Sequence, residues 1–127
     1  MGDYRVLLVD DEEELVSTIV ERLSYRGFES DYAINGQTAL QKLREQQFDI
    51  VVIDLKLPGM SGNELINTIS MAYPNLPILM VTGHGAGDSP AGAHPDGIFE
   101  LMLKPLDISE LVSKMREAIG AQERRHK

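Results

Sequence analysis

The chain contains no cysteine, which excludes disulfides and thiolate metal sites and leaves the redox compartment open. It also lacks any apolar run long enough to span a bilayer, and Met1-Gly2-Asp3-Tyr4-Arg5 leads straight into a strand-like run rather than a signal peptide. A cytoplasmic location with no membrane partner is the expectation. Positive charge is scarce: 12 basic against 20 acidic side chains give a formal net charge of -8. That sign opposes a phosphate backbone and favours attraction to cations or basic surfaces, so no direct nucleic-acid binding is expected of this segment. Internal repeats are absent.

What is present has the proportions of one globular domain. A length of 127 residues suffices to bury roughly two-thirds of the unfolded surface around a single core. Hydrophobic residues make up 43% and charged residues 25%, which argues against disorder and against a fibrous protein. Apolar runs at 6–9, 50–53, 78–81 and 101–103 are short, continuous and rich in Val, Ile and Leu. Continuity rather than alternation implies strands covered on both faces, while the more polar Phe28 to Ala33 reads as an edge strand.

Segments of helical period lie between these runs. Leu15, Ile19 and Leu23, flanked by Val16 and Val20, form an i, i+4, i+8 stripe that Gly27 stops. Ala39, Leu40 and Leu43 mark a second helix after Asn35-Gly36, and Leu65, Ile66 and Ile69 a third. Ser61-Gly62-Asn63-Glu64 has capping-box spacing, and Asp107-Ile108-Ser109-Glu110 is a looser version. It opens a last helix carrying Leu111, Val112, Met115, Ala118 and Ile119. Alternating strands and helices define the parallel α/β class. The connection from Gly83 to Gly97 breaks the rhythm, with five glycines and two prolines, so the fourth helix is expected to be short or disordered. The domain is expected to occupy residues 1–121, with 122–127 a polar tail or the start of a linker.

The apolar runs end in polar residues. Val6 to Val9 stops at Asp10-Asp11, Ile50 to Ile53 at Asp54, Ile78 to Val81 at Thr82 and Leu101 to Leu103 at Lys104. In a parallel sheet all carboxyl ends share one edge, where open α/β folds place their sites. Three neighbouring carboxylates repel one another, and a divalent cation is the simplest remedy. Oxygen ligands without His or Cys suit Mg²⁺, which also accepts phosphate oxygens. With Lys104 as a second positive charge and Thr82 as a donor, the set is suited to receiving a phosphoryl group on a carboxylate. Each residue alone has a plainer role: Asp10-Asp11 as a helix cap, Asp54 and Thr82 as turn residues, Lys104-Pro105 as the lead into the last helix. Their coincidence at consecutive strand ends favours the functional reading.

Val9-Asp10-Asp11-Glu12, the run Ile53 to Gly62 around Asp54, Val81-Thr82-Gly83 and Leu103-Lys104-Pro105 together resemble the receiver domain of two-component response regulators. The resemblance spans about residues 4 to 119. It implies a flavodoxin-like doubly wound sheet of five parallel strands in order 2-1-3-4-5. It further implies that Asp54 is the phosphoacceptor for a histidine kinase or phosphotransfer domain. Asp10, Asp11, Asp54 and the main-chain carbonyl of Lys56 would hold Mg²⁺, directly or through water. Thr82 would hydrogen-bond the phosphoryl oxygen and Lys104 would pair with it, beside the small Gly83. A cis bond would join Lys104 to Pro105. The implied role is that of a phosphoacceptor, not an enzyme acting on another molecule, although the domain would promote its own phosphorylation and dephosphorylation. An effector domain, a downstream protein or a homodimer would carry the signal onward.

The sequence departs from the family pattern in one connected region. Leu101 occupies the position of the usual Tyr or Phe, and the Gly/Pro-rich segment replaces the helix after the threonine loop. Lys56 and His84 sit where side chains of the family face the phosphoryl group; His94 and His126 show no metal spacing. A haloacid-dehalogenase-type phosphatase would need a second aspartate where Lys56 stands, and a dinucleotide-binding domain would need glycines where Asp10-Asp11-Glu12 stands. The stronger alternative is a receiver-like interaction module whose output is independent of phosphorylation.

Overall fold

The computed structural model describes residues 4–57, 59–83, 98 and 100–125. The expected short or disordered helix, together with His84 and His94, lies outside the described residues, as do Pro58 and His126. The described elements run β1 (Tyr4–Val9), α1 (Glu13–Ser24), β2 (Phe28–Ala33), α2 (Gly36–Glu45), β3 (Ile50–Asp54), α3 (Gly62–Ala72), β4 (Ile78–Thr82), β5 (Glu100–Leu103) and α4 (Ile108–Arg125). The strands form one sheet in the order β2-β1-β3-β4-β5, and every neighbouring pair is parallel. This is the doubly wound arrangement expected from the run pattern and the resemblance.

The pleat explains why the central strands are apolar at every position. Val6, Leu8, Ile50, Val52, Leu79 and Val81 point into one core, which α1 and α4 close with Val16, Ile19, Leu23, Leu111, Met115 and Ile119. Leu7, Val9, Val51, Ile53, Ile78 and Met80 point into the other, closed by Ala39 and Leu43 of α2 and by Leu65, Ile66 and Ile69 of α3. β2 is paired on one side only, and the polar Glu29, Ser30 and Asp31 between its buried ends Phe28 and Ala33 suit an edge.

The turn of α1 differs from the expected stripe. Val16, Ile19 and Leu23 are buried at i, i+3 and i+7, while Leu15 remains exposed. Gly27 takes φ +87, a left-handed conformation that suits glycine just past a helix. The capping box at Ser61 forms in full: Glu64 N–H donates to Ser61 Oγ at 3.2 Å and Ser61 N–H to Glu64 Oε1 at 3.1 Å. At Asp107 only the forward bond is recorded, from Glu110 N–H to Asp107 Oδ2 at 2.9 Å. α4 continues through Gln122–Arg125, past the boundary at residue 121, so this part of the polar segment is helical.

Hydrogen bonds of the main chain carry the sheet slightly beyond its strands. Asp10 N–H donates to Ala33 O at 3.0 Å, Leu55 N–H to Val81 O at 2.8 Å and Lys104 N–H to Thr82 O at 2.8 Å. Residues at or just after the strand ends are therefore fixed by the sheet. The Lys104-Pro105 bond is cis, as the resemblance implied.

Candidate functional site at the carboxyl edge of the sheet

Asp54 is the last residue of β3, and Thr82 is the last of β4. Asp10 follows β1 and Lys104 follows β5. Asp10, Asp54 and Thr82 are the buried polar residues among those described, and all three belong to this one edge. Random placement of polar residues in a core would scatter them over both ends of the sheet.

Lys104 Nζ is the centre of the group. It lies 2.9 Å from Asp10 Oδ2, 2.8 Å from Glu12 Oε1 and 3.1 Å from Asp54 Oδ2. The remaining carboxylate oxygens are tied to the main chain: Glu12 N–H donates to Asp10 Oδ1 at 2.9 Å, and Lys56 N–H to Asp54 Oδ1 at 3.1 Å. Each buried carboxylate thus has partners on both oxygens, which offsets its desolvation. The Thr82 hydroxyl is different. It is buried without a hydrogen-bond partner among the described residues, and an unmade bond of this kind is costly unless something else fills it.

The site perturbs its own titration. Burial raises the Asp54 carboxyl above its ordinary range; the Lys56 N–H and Lys104 pull it back, and the charge of Asp10 pushes it up again. For Lys104 burial works against the ammonium, but the bonds to Glu12 and Asp10, the charge of Asp10 and the bond to Asp54 outweigh it and hold the group well above a free lysine. A carboxylate and a cation poised against each other in a crevice are features that functional sites commonly share.

The structure brings together Asp10, Asp54, Thr82 and Lys104 from the expected set, with the Lys56 main chain against Asp54. Asp11 is exposed and stands outside the tight group. Glu12 takes a place there that the sequence did not assign: oxygens of Asp10, Glu12 and Asp54 lie within 4.8 Å of one another. Its signal was the third acid of Asp10-Asp11-Glu12, which the strand-to-helix turn folds back over Asp10. Three mutually close carboxylate oxygens, with no nitrogen or sulfur donor among them, fit a hard divalent cation such as Mg²⁺. A Cβ on Gly83 would stand 4.0 Å from Lys104 Cδ, an ordinary contact, so among the described residues the space beside the lysine does not demand glycine.

An open α/β sheet with an acidic crevice at its carboxyl edge, a half-buried lysine and a threonine hydroxyl without a partner among the described residues defines a recognisable class of signalling domain. The model of the response regulator receiver domain matches residues 6–116, and the chain belongs to that family. Response regulator protein FleR of Pseudomonas aeruginosa is 32% identical over 117 residues, covering 91% of this chain and 25% of its own length. The DNA-binding transcriptional regulator NtrC of Escherichia coli K12 is 30% identical over 115 residues, covering 91% of this chain and 24% of its own. The chain therefore spans about a quarter of the length of these relatives. Among solved structures, a CheY-like receiver domain protein of Methanospirillum hungatei superposes with a TM-score of 0.89 at 27% identity, covering 98% of this chain and 99% of that one. A receiver domain protein of Clostridium thermocellum gives 0.86 at 28%, covering 94% and 97%.

Proposed function

We propose that the chain accepts a phosphoryl group on Asp54 from the phosphohistidine of a histidine kinase or phosphotransfer domain, and that the change at this edge is relayed to an effector domain or downstream protein. The observation that carries the reading is Asp54 Oδ2 held 3.1 Å from Lys104 Nζ, at an edge where the buried Thr82 hydroxyl has no partner among the described residues. In the transfer, an Asp54 oxygen forms the new O–P bond as the N–P bond of the donor breaks. Asp54 has to be ionised to attack, and the Lys56 N–H and Lys104 favour that form against burial. Lys104 and the Thr82 hydroxyl then serve the phosphoryl oxygens, Lys104 by charge and Thr82 by a hydrogen bond.

Asp10, Asp11 and Asp54, directly or through water, together with the main-chain carbonyl of Lys56, are the residues that would hold Mg²⁺. Bound there, the ion would supply positive charge against the negative charge spread over the transferring group. The receiver unit comprises residues 1–121, and the helical continuation through Arg125 leads out of it. Incubation with Mg²⁺ and acetyl phosphate is expected to give a single acid-stable, base-labile adduct. Asp54→Asn is expected to abolish it, and persistence of the adduct in that variant overturns the assignment.

A further inference from the structure

Lys104 has three N–H donors and no acceptor, and three carboxylates crowd around them. The ammonium hydrogen-bonds to Glu12 and Asp54 at 2.8 and 3.1 Å and stands 2.9 Å from Asp10 Oδ2. A phosphoryl oxygen that is to pair with Lys104 must therefore displace one of them. The three partners are not equivalent. The side chains of Asp10 and Asp54 are 10% and 8% exposed, so stripping either of its cation leaves a charge in the core; Glu12 is 61% exposed and can turn into water.

The position of Glu12 in α1 supports the same conclusion. It is the N-cap residue of the helix, yet its side chain makes no capping hydrogen bond. Glutamate is a poor choice for a cap, where Asp, Asn, Ser and Thr predominate. Its carboxylate reaches instead across 92 residues of sequence to Lys104 Nζ, while its N–H holds Asp10 Oδ1 at 2.9 Å.

We infer that Glu12 is a positioning residue that occupies a donor of Lys104 in the unphosphorylated protein and is the partner displaced when a phosphoryl group arrives. This rests on the reading of Asp54 as acceptor. Glu12 aims the ammonium while the site waits, and it competes with the incoming group for it. The balance sets how readily the domain accepts a phosphoryl group.

The test uses the whole chain and three forms: wild type, Glu12→Gln and Glu12→Asp. Glu12→Gln removes the charge. Glu12→Asp keeps the charge but shortens the reach, and it supplies a good N-cap, so the variant folds. Beryllofluoride affinity and the rate of adduct formation from acetyl phosphate are measured on each at matched Mg²⁺ and ionic strength. Because an exposed ion pair is modest, both variants are expected to bind beryllofluoride about two- to fivefold more tightly and to react correspondingly faster. Wild-type behaviour in both variants overturns the role of Glu12. A gain in Glu12→Gln without one in Glu12→Asp also overturns it, since long-range charge would then be the whole effect. A wild-type protein that neither binds beryllofluoride nor forms the adduct overturns instead the acceptor reading on which the inference stands.

Discussion

Lys104 Nζ stands 3.1 Å from Asp54 Oδ2, joining residues 50 positions apart across the end of the intervening strand β4. Lys104→Met leaves two buried carboxylates without their shared cation, and removing one partner of a buried ion pair typically costs about 3 kcal/mol or more. Urea unfolding at pH 7 is expected to show a loss of this size. Because the folded ammonium titrates above its ordinary 10.5, its contribution is fully present below that value and is lost only as pH rises through the higher folded one. The gap between wild type and variant should therefore stay open across the whole neutral range. Equal stability at pH 7 would contradict the ion-pair assignment.

Asp54 itself lowers stability at neutral pH. Burial, aided by Asp10, holds its carboxyl above the ordinary value of 3.8 against the pull of Lys56 and Lys104. The folded state then binds the proton more tightly than the unfolded chain, so stability is greatest below the unfolded value and falls as pH rises through the folded one. Asp54→Asn removes that loss. Thermal melts are expected to place the variant above wild type at pH 7, with the difference shrinking as pH falls toward the ordinary carboxylate value. A variant that melts below wild type at pH 7 would count against this account.

Gly62 fixes the approach of α3 to the end of β3. A Cβ at this position would stand 2.7 Å from both Leu55 Cα and Leu55 O and 2.8 Å from Asp54 O, all of them main-chain atoms that cannot swing aside. Gly62→Ala is expected to cost about 1–3 kcal/mol, the usual range for overpacking, and to slow adduct formation by shifting the Asp54 turn. Denaturant unfolding and acetyl phosphate labelling check the two effects, and a Gly62→Ala protein with wild-type values in both would refute the steric account.

Ser61→Ala separates helix stability from chemistry. It removes the 3.2 Å bond from Glu64 N–H and with it half of the capping box. A loss of about 1 kcal/mol in denaturant unfolding is expected, the typical cost of a serine cap. Adduct formation should stay close to wild type, since the cap does not touch Asp54, Thr82 or Lys104.

The fold was largely legible because β1, β3 and β4 are covered on both faces. Their apolar runs had no alternation to misread, and their strand ends marked the edge where Asp54, Thr82 and Lys104 meet. β2 was legible from its polarity, since an edge strand carries Glu29 and Asp31. Leu15 was not. Leu15 and Val16 are adjacent and both apolar, each in helical step with Ile19 and Leu23, and the packed helix turns Val16 inward and leaves Leu15 exposed. Glu12 was missed for a related reason: nothing local distinguishes it from Asp11, and its partner lies 92 residues away. That the Thr82 hydroxyl has no partner among the described residues likewise becomes visible only when its surroundings are assembled.

Lys104 directly follows β5, an outer strand of the sheet, and its N–H bond to Thr82 O ties it to the end of β4. Asp10, Asp54 and Thr82 sit on or beside β1, β3 and β4, whereas the cation comes from the end of β5. Any opening of β5 away from β4 leaves the aspartates without the cation that steadies them. The crevice is therefore whole only while β5 stays paired with β4, so the strength of one edge pairing sets the integrity of the site.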